Sequence, residues 1–288
     1  MIKLSSLLNS NETINKLSKL QIDKLKENLN FIFDCNGDYQ NYNNEALLFL
    51  CENESPFNEI ENYIFLFPFK KTLDIDNFLC LFHKKSSKNH NKYKNFMEVF
   101  PLRNEIYPFT FKASGYVLLM VYIEKYLNEY HTIPELKGYT VRMAEEKDII
   151  NILECLKMAY LNGLKLQNEE YSIKKLENHI IDNFQPLLTE ERVIFVCETN
   201  EGVFCGHALY EVNSSKAEHI DTYTVKQFEG KGLAKFLSLY SENELFNIGV
   251  SVVKATIKTE GNIIKLIDSF SKTGWNPTSY IYKKQKGG

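Results

Sequence analysis

One stretch of the 288-residue chain has the residue types and spacing that suit an anion: Thr224-Val225-Lys226-Gln227-Phe228-Glu229-Gly230-Lys231-Gly232-Leu233-Ala234. Strand-forming residues lead into a loop with two glycines, and helix-forming residues follow. Glycine lets the backbone approach a ligand closely and turn its N–H groups toward one point. A helix starting at Leu233 adds the positive end of its dipole, so the loop suits a phosphate or pyrophosphate. Two glycines ahead of a helix are a weak signal by themselves, and the flanking elements must decide.

Those elements are legible from Tyr139 onward. Tyr139–Met143 alternates as a short strand. Glu145 and Glu146 open a helix with Ile149, Ile152, Leu153, Leu156 and Tyr160 on one side, the acidic pair suiting the helix N-terminus. Ser172–Phe184 reads as a second helix. Arg192–Glu198 is a continuous apolar strand, Thr199–Gly202 a turn, and Val203–Val212 the antiparallel partner. Glu218–Val225 is a further strand, interrupted by Gln227–Gly232. Leu233–Phe246 is helical, Val250–Lys258 is rich in β-branched residues, Ile263–Lys272 is helical, and Tyr280–Lys284 closes as a strand. The order predicts an α/β fold: a mixed sheet with helices on its faces.

With those elements in place, the loop Glu229-Gly230-Lys231-Gly232-Leu233-Ala234 resembles the coenzyme A pyrophosphate loop of the GNAT (Gcn5-related N-acetyltransferase) family, Gln/Arg-x-x-Gly-x-Gly/Ala. The resemblance continues on both sides. Tyr139-Thr140-Val141-Arg142-Met143-Ala144-Glu145-Glu146-Lys147-Asp148 is similar to the family's first strand and first helix start. Phe204-Cys205-Gly206-His207-Ala208 is similar to its glycine-containing third strand, and Lys272-Thr273-Gly274-Trp275 to its Lys-x-Gly-Phe ending. It runs from about residue 138 to residue 285.

The resemblance implies acetyl-CoA or another acyl-CoA as donor and no metal. It implies that the backbone of Tyr223, Thr224 and Val225 pairs with the pantetheine arm. The N–H groups of Glu229, Gly230, Lys231, Gly232, Leu233 and Ala234 would meet the pyrophosphate. Asn262 lies one residue from where the family often has an Asn contacting coenzyme A, and an N-cap is the other reading of it. Glu229 departs from the family's Gln or Arg and puts a carboxylate near a phosphate, so it must face solvent or pair with Lys231 or Lys235.

Acyl transfer to an amine requires the acceptor's ammonium to lose a proton. Glu218 falls where many family members have a glutamate acting as base and is the first expectation for that role; Asp221 is the second. By period-two alternation His219, Asp221 and Tyr223 follow on the side of the strand opposite Glu218. The family's thiolate-protonating Tyr corresponds to Phe270, which has no proton to give. Tyr223, Tyr280 or water are the substitutes, and unaided departure of the thiolate is the other option.

The rest of the chain sets bounds. Apolar residues make up 44% and charged residues 25%, the balance of a folded protein. Formal net charge is −3, and neither half is basic, which argues against a nucleic-acid binder. The six cysteines, Cys35, Cys51, Cys80, Cys155, Cys197 and Cys205, form no CxxC pair and have no His at metal-ligand spacing. The longest apolar run, Tyr116–Ile123, is shorter than the roughly 20 residues a membrane span needs. Met1–Leu8 lacks the pattern of a secretory leader. A cytoplasmic protein with no membrane partner is expected; the sequence leaves its oligomeric state open, a homodimer included.

The first half, residues 1–137, is harder to read. Thr13–Phe33 has apolar residues at helical spacing, and Asn43–Cys51 reads as a second helix. Tyr63–Phe69 and Phe78–His83 read as strands, Lys84–Asn95 as a polar loop or solvated helix face, Ser114–Glu129 as an amphipathic helix and Thr132–Gly138 as a linker. The expected division is an N-terminal α/β domain of 1–137, a degenerate GNAT-like copy or an interaction module, followed by an acyltransferase domain of 138–288. Nothing in the first half repeats the glycine loop, so one coenzyme A is expected. The acceptor is an amine on a small molecule or peptide. Transfer of a longer acyl chain, or coenzyme A binding without turnover, are the alternatives.

Overall fold

The computed structural model describes residues 21–24, 26, 38–42, 46–54, 60–68, 79, 94–101, 111, 114–166, 172–258 and 263–284. Two compact units emerge. One comprises 1–122, 262–268 and 277–288, the other 123–261 and 269–276. Each therefore gathers segments that are distant in sequence, where the reading above made a single cut after Lys137.

In the first unit, β1 (Asp38–Tyr42), β2 (Ala46–Glu54) and β3 (Ile60–Pro68) are successive antiparallel neighbours. Strand β4 (Lys94–Val99) then lies parallel to β3, paired along its whole length from Glu61–Lys94 to Leu66–Val99. Residues Tyr280–Lys283 run antiparallel on the other side of β4. Its core includes Leu66, Phe67, Met97, Val99 and Phe100.

Two expectations fail here. Asn43–Cys51 is not a helix: Ala46–Glu54 is a strand in a hairpin with Ile60–Pro68. Ser114–Glu129 is not a helix either: β5 (Tyr116–Tyr126) is a strand, entered through Gly115 at φ 74°. Both segments are short apolar runs, in which helical and strand spacing cannot be told apart, and ladder pairing decides. Of Phe78–His83 only Leu79 is described, and it is helical rather than extended. Within Thr13–Phe33 the described residues 21–24 and 26 are helical; the rest lies outside the described residues. So does most of Lys84–Asn95, of which Lys94 and Asn95 open β4.

The chain from Tyr139 onward, most of it in the second unit, follows the reading closely. Strand β6 (Tyr139–Met143), helix α1 (Ile149–Leu166), helix α2 (Ile173–Phe184), β7 (Arg192–Thr199), β8 (Phe204–Asn213), β9 (Lys216–Thr224), α3 (Leu233–Asn247), β10 (Val252–Lys258) and α4 (Ile263–Ser271) come in the expected order. The last strand, β11 (Trp275–Lys284), starts five residues earlier than expected. Thr132–Gly138 is neither helix nor strand.

Strands β6, β7, β8 and β9 are successive antiparallel neighbours, and β10 is parallel to β9. Each unit thus has antiparallel strands leading to one parallel step. On one face of the second sheet α3 packs Leu233, Leu237 and Leu245 against Phe195, Cys197, Ala208, Tyr210, Ala217 and Val253. Helix α1 covers the other face, over β8 and β9.

Gly206 has a packing reason to be glycine. A Cβ there would sit 2.3 Å from the Tyr223 carbonyl oxygen and 3.1 Å from the Thr224 Cα. Backbone cannot swing aside as a side-chain tip can, so β8 and β9 would have to part. Gly206→Ala is expected to destabilise the protein by about 1–3 kcal/mol, read as a lower denaturant midpoint with an unchanged m-value. An unchanged midpoint would mean that β9 moves freely at Tyr223.

Candidate functional site

The site begins where a ladder stops. Strands β9 and β10 pair from Lys216–Val252 to His219–Ala255 and no further, although both strands continue. From Ile220 to Thr224, β9 remains paired with β8 on its other edge. Its β10 edge therefore presents main-chain N–H and C=O groups with no ladder partner among the described residues. Such groups seek another extended, hydrogen-bonding partner.

Past Thr224 the chain makes a short 3₁₀ turn, Lys226–Phe228, and reaches Gly230 and Gly232. Both have the left-handed backbone, with φ of 75° and 82°. Gly232 is the N-cap of α3. A Cβ at either would meet nothing within 4 Å, so open space lies against them. Among the described residues, none of the N–H groups from Gly230 to Ala234 is donated to another group. Glu229 differs: its N–H donates to the Lys226 carbonyl at 3.2 Å, so it turns inward rather than toward a ligand.

Between loop and strand lies a cavity of about 370 Å³, lined by Thr222, Tyr223, Thr224, Phe228, Glu229, Gly230, Gly232, Leu233 and Ala234. It collects most of the donor-contact residues expected from sequence. Val225 borders it in the chain, with its N–H donated to the Cys205 carbonyl at 2.8 Å. Asn262 lies outside the described residues. Glu229 is exposed and makes no ion pair with a described residue. Lys231 folds over aromatic rings instead, its ammonium 5.0 Å from the Phe228 ring and 6.0 Å from that of Tyr139. An extended strand edge, a glycine turn and a helix N-terminus around one cavity are the features that a chain-like ligand with an internal pyrophosphate requires.

Strand β9 carries the proton-transfer expectations, and one residue rearranges them. The β8–β9 register shifts between Leu209–Asp221 and Tyr210–His219, leaving Ile220 as a bulge. A bulge residue resets which side chains share a face. Glu218 pairs with Glu211, Asp221 with Leu209, and Tyr223 with His207, all on the α1 side, while His219 pairs with Tyr210 on the α3 side. The alternation read from sequence therefore breaks: Asp221 and Tyr223 share the face of Glu218, and His219 alone is opposite.

Glu218 is exposed, lies in the stretch of β9 still paired with β10, opposite Lys254, and does not line the cavity. Asp221 lies in the unpaired stretch, next to the cavity residue Thr222. One oxygen, Oδ2, stands 3.1 Å from Nε2 of the fully buried His207, a close polar contact without the alignment of a hydrogen bond. Burial, with Cys155, Glu229 and Asp221 nearby, raises the pKa of Tyr223 and keeps its phenol protonated. On α1, burial beside Asp221 and Glu154 pushes the Cys155 thiol up to about 12. Cys155, Cys197 and Cys205 are unpaired, buried thiols. Phe270 packs edge-on against Trp275 at 6.4 Å, and Tyr280 is fully buried in the first unit.

His207 was absent from the expectations. Its signal was a lone imidazole inside the otherwise apolar run Cys205–Tyr210, which reads more readily as packing than as chemistry.

No family model and no curated protein matches the chain. Solved structures do. A GCN5-related N-acetyltransferase from Kribbella flavida is 11% identical, with a TM-score of 0.50 over 94% of this chain and 97% of that one. Another, from Sphaerobacter thermophilus, is 12% identical, with a TM-score of 0.50 over 83% and 80%. The chain therefore has the fold of the GNAT N-acetyltransferases, and at these identities the likeness is one of fold. Among the described residues, no helix is long and apolar enough to cross a membrane, and no His, Cys, Asp and Glu group is placed to hold a metal.

His219 provides a pH test of this geometry. Its Nε2 lies 2.6 Å from Thr222 Oγ1 and its ring 5.0 Å from that of Tyr210. Burial lowers its pKa from 6.5 to about 4, against the pull of Asp221 and with a further push from His207. Between pH 6.5 and 4 the unfolded chain binds a proton that the folded chain refuses, so stability falls as pH falls through that window. This one group contributes a slope of at most about 1.4 kcal/mol per pH unit. His219→Gln is expected to flatten that part of the stability–pH curve; an unaltered slope would show that His219 is solvated.

Proposed function

We propose that the second unit transfers an acyl group, acetyl in the first instance, from acyl-coenzyme A to an amine acceptor on a small molecule or peptide. The observation that carries this reading is the ladder that ends at His219–Ala255 beside the glycine turn at the start of α3. The free edge of Tyr223–Thr224 suits the amide groups of a pantetheine arm. The unused N–H groups from Gly230 to Ala234 suit its pyrophosphate. When bound, the donor supplies a thioester carbonyl for the amine to attack.

The chain's own task is then to move protons. The acceptor's ammonium must lose one before its lone pair can attack the thioester carbon, and the C–S bond breaks with the electron pair leaving on sulfur. Asp221 is the acceptor for the first proton in this reading, because it stands in the opened part of β9, beside the cavity. Glu218, the earlier first choice, is exposed and lies where β9 is still paired. Tyr223 is the donor to the departing thiolate: it lines the cavity, and its raised pKa keeps the proton available. It fills the role that Phe270 cannot.

A second reading has its own observation. Phe270 is committed to packing on Trp275, and Glu229 is a carboxylate on the cavity wall with no ion-pair partner among the described residues. Both favour a unit that binds coenzyme A and catalyses nothing.

Two experiments separate these. Acetyl-CoA is expected to raise the melting temperature by mass action, and the acyl length giving the largest rise identifies the donor. Gly232→Val, which forces a β-branched residue into φ 82° and fills the open space, is expected to remove that rise. A full rise in the variant would sink the pyrophosphate assignment. With an amine panel and thiol release as readout, Asp221→Asn is expected to lower kcat by about 10²-fold or more while leaving the acyl-CoA-induced rise intact. Glu218→Gln should stay near the parent. Parent-like turnover by Asp221→Asn with loss in Glu218→Gln would reverse the assignment, and donor binding without turnover on any amine would favour the second reading.

A further inference from the structure

The mechanism above uses Asp221 but leaves His207 unexplained. His207 is fully buried in the middle of β8, where a leucine or methionine would pack without a polar penalty. Neither ring nitrogen has an aligned hydrogen-bond partner among the described residues, and Nε2 is 3.1 Å from Asp221 Oδ2. The bulge at Ile220 creates this approach. It sets His207 opposite Tyr223 and diagonal to Asp221 on the α1 side of the sheet.

Asp221 is the polar group that stands against the ring. From β7 the cross-strand neighbour is Val196, which is apolar. From β9 come Asp221 and Tyr223, with His219 on the opposite face and within electrostatic reach. On α1, within electrostatic reach of Asp221, Cys155 and Tyr160 are both held in their neutral forms by burial and by Asp221, with Glu154 also acting on Cys155. Along β8 lies Glu211, which is already held by Arg192 at 3.0 Å.

We propose that His207 is a positioning residue for Asp221: the buried imidazole, standing against Oδ2, fixes the orientation of the carboxylate. This rests on the acyl-transfer reading for its catalytic meaning, but the pairing itself is testable without it. In the reaction, the N–H bond of the acceptor breaks as an O–H bond forms on the Asp221 carboxylate, and His207 stays against Oδ2 without changing its own bonds. Asp221 is 16% exposed, so one side of the carboxylate can face an acceptor while the other faces the ring.

The test uses the full chain with isotope-labelled histidine rings, followed by NMR from about pH 4.5 to 9. His207→Gln identifies the His207 signals by their loss; if that variant does not fold, His207→Asn serves the same purpose. The parent and Asp221→Asn are then compared. Removing an opposite charge at this distance is expected to move the His207 transition to lower pH by about one unit or more. In turnover, His207→Gln is expected to lower kcat about tenfold and to move the acidic limb of its pH profile, with the KM for acyl-CoA unchanged. A His207 signal with the same pH dependence in both proteins overturns the proposal, and so does a His207→Gln pH profile superimposable on the parent's. Coupled ring signals in a protein with no turnover would uphold the pair and instead defeat the acyl-transfer reading.

Discussion

The site depends on a single constraint: β9 must be held firmly on one edge and released on the other. Its β8 edge stays paired to Gly206–Thr224, the end of the strand, whereas its β10 edge is released after His219. A freed edge in a sheet is normally a hazard, since it invites another strand. Here the glycine turn and α3 follow directly, so the freed groups border the cavity that those elements line. Gly206 secures the held edge by letting β9 approach to a distance that any side chain would forbid. The first unit shows the same strand order without this release. Its parallel pair β3–β4 stays joined along the whole of β4, which leaves no comparable slot among the described residues.

The bulge at Ile220 does the second part of the work. An uninterrupted β9 would put Asp221 and Tyr223 on the face opposite Glu218, toward α3 and its packed leucines. One extra residue turns them to the α1 side, next to His207, and leaves His219 with Tyr210 and Thr222. The two faces of the strand thereby separate two kinds of contact. The α3 side supplies the turn and the helix N-terminus; the α1 side gathers titratable groups. Bulges near sites that must re-aim a side chain are a recurrent use of this irregularity.

Much of the second unit was legible in the sequence because its local signals agree. The turn Thr199–Gly202 lies between two apolar strands, Ser172 caps a helix, and Gly230 and Gly232 precede one. The failures have physical reasons as well. Tyr116–Tyr126 is buried irregularly along its length, so its apolar residues show no clean period of two and fit helical spacing as well. Ala46–Glu54 became a strand through pairing with residues that follow it, which local spacing does not encode. Ile220 looks like any other strand residue, and only its register with β8 marks it as a bulge. The exposure of Glu218 and the burial of His207, on one face of the sheet, depend on what packs over each position, which local spacing does not encode.

The departures of this chain from the family motif bear on how the chemistry is divided. Phe270 lies on α4 and is used for packing with Trp275, so a hydroxyl from that helix is lost. Tyr223 reaches the cavity from β9 itself, within the free edge that suits the donor. A proton donor on the strand that also holds the donor molecule keeps its place relative to the thioester without relying on α4. The same strand carries Asp221 two residues earlier, on the same face. In this reading one stretch of backbone, Asp221–Thr224, fixes the acid, the base and the donor together, and α4 is left free of a chemical role. That concentration also explains why the geometry of β9, more than any single side chain, is what the surrounding packing protects.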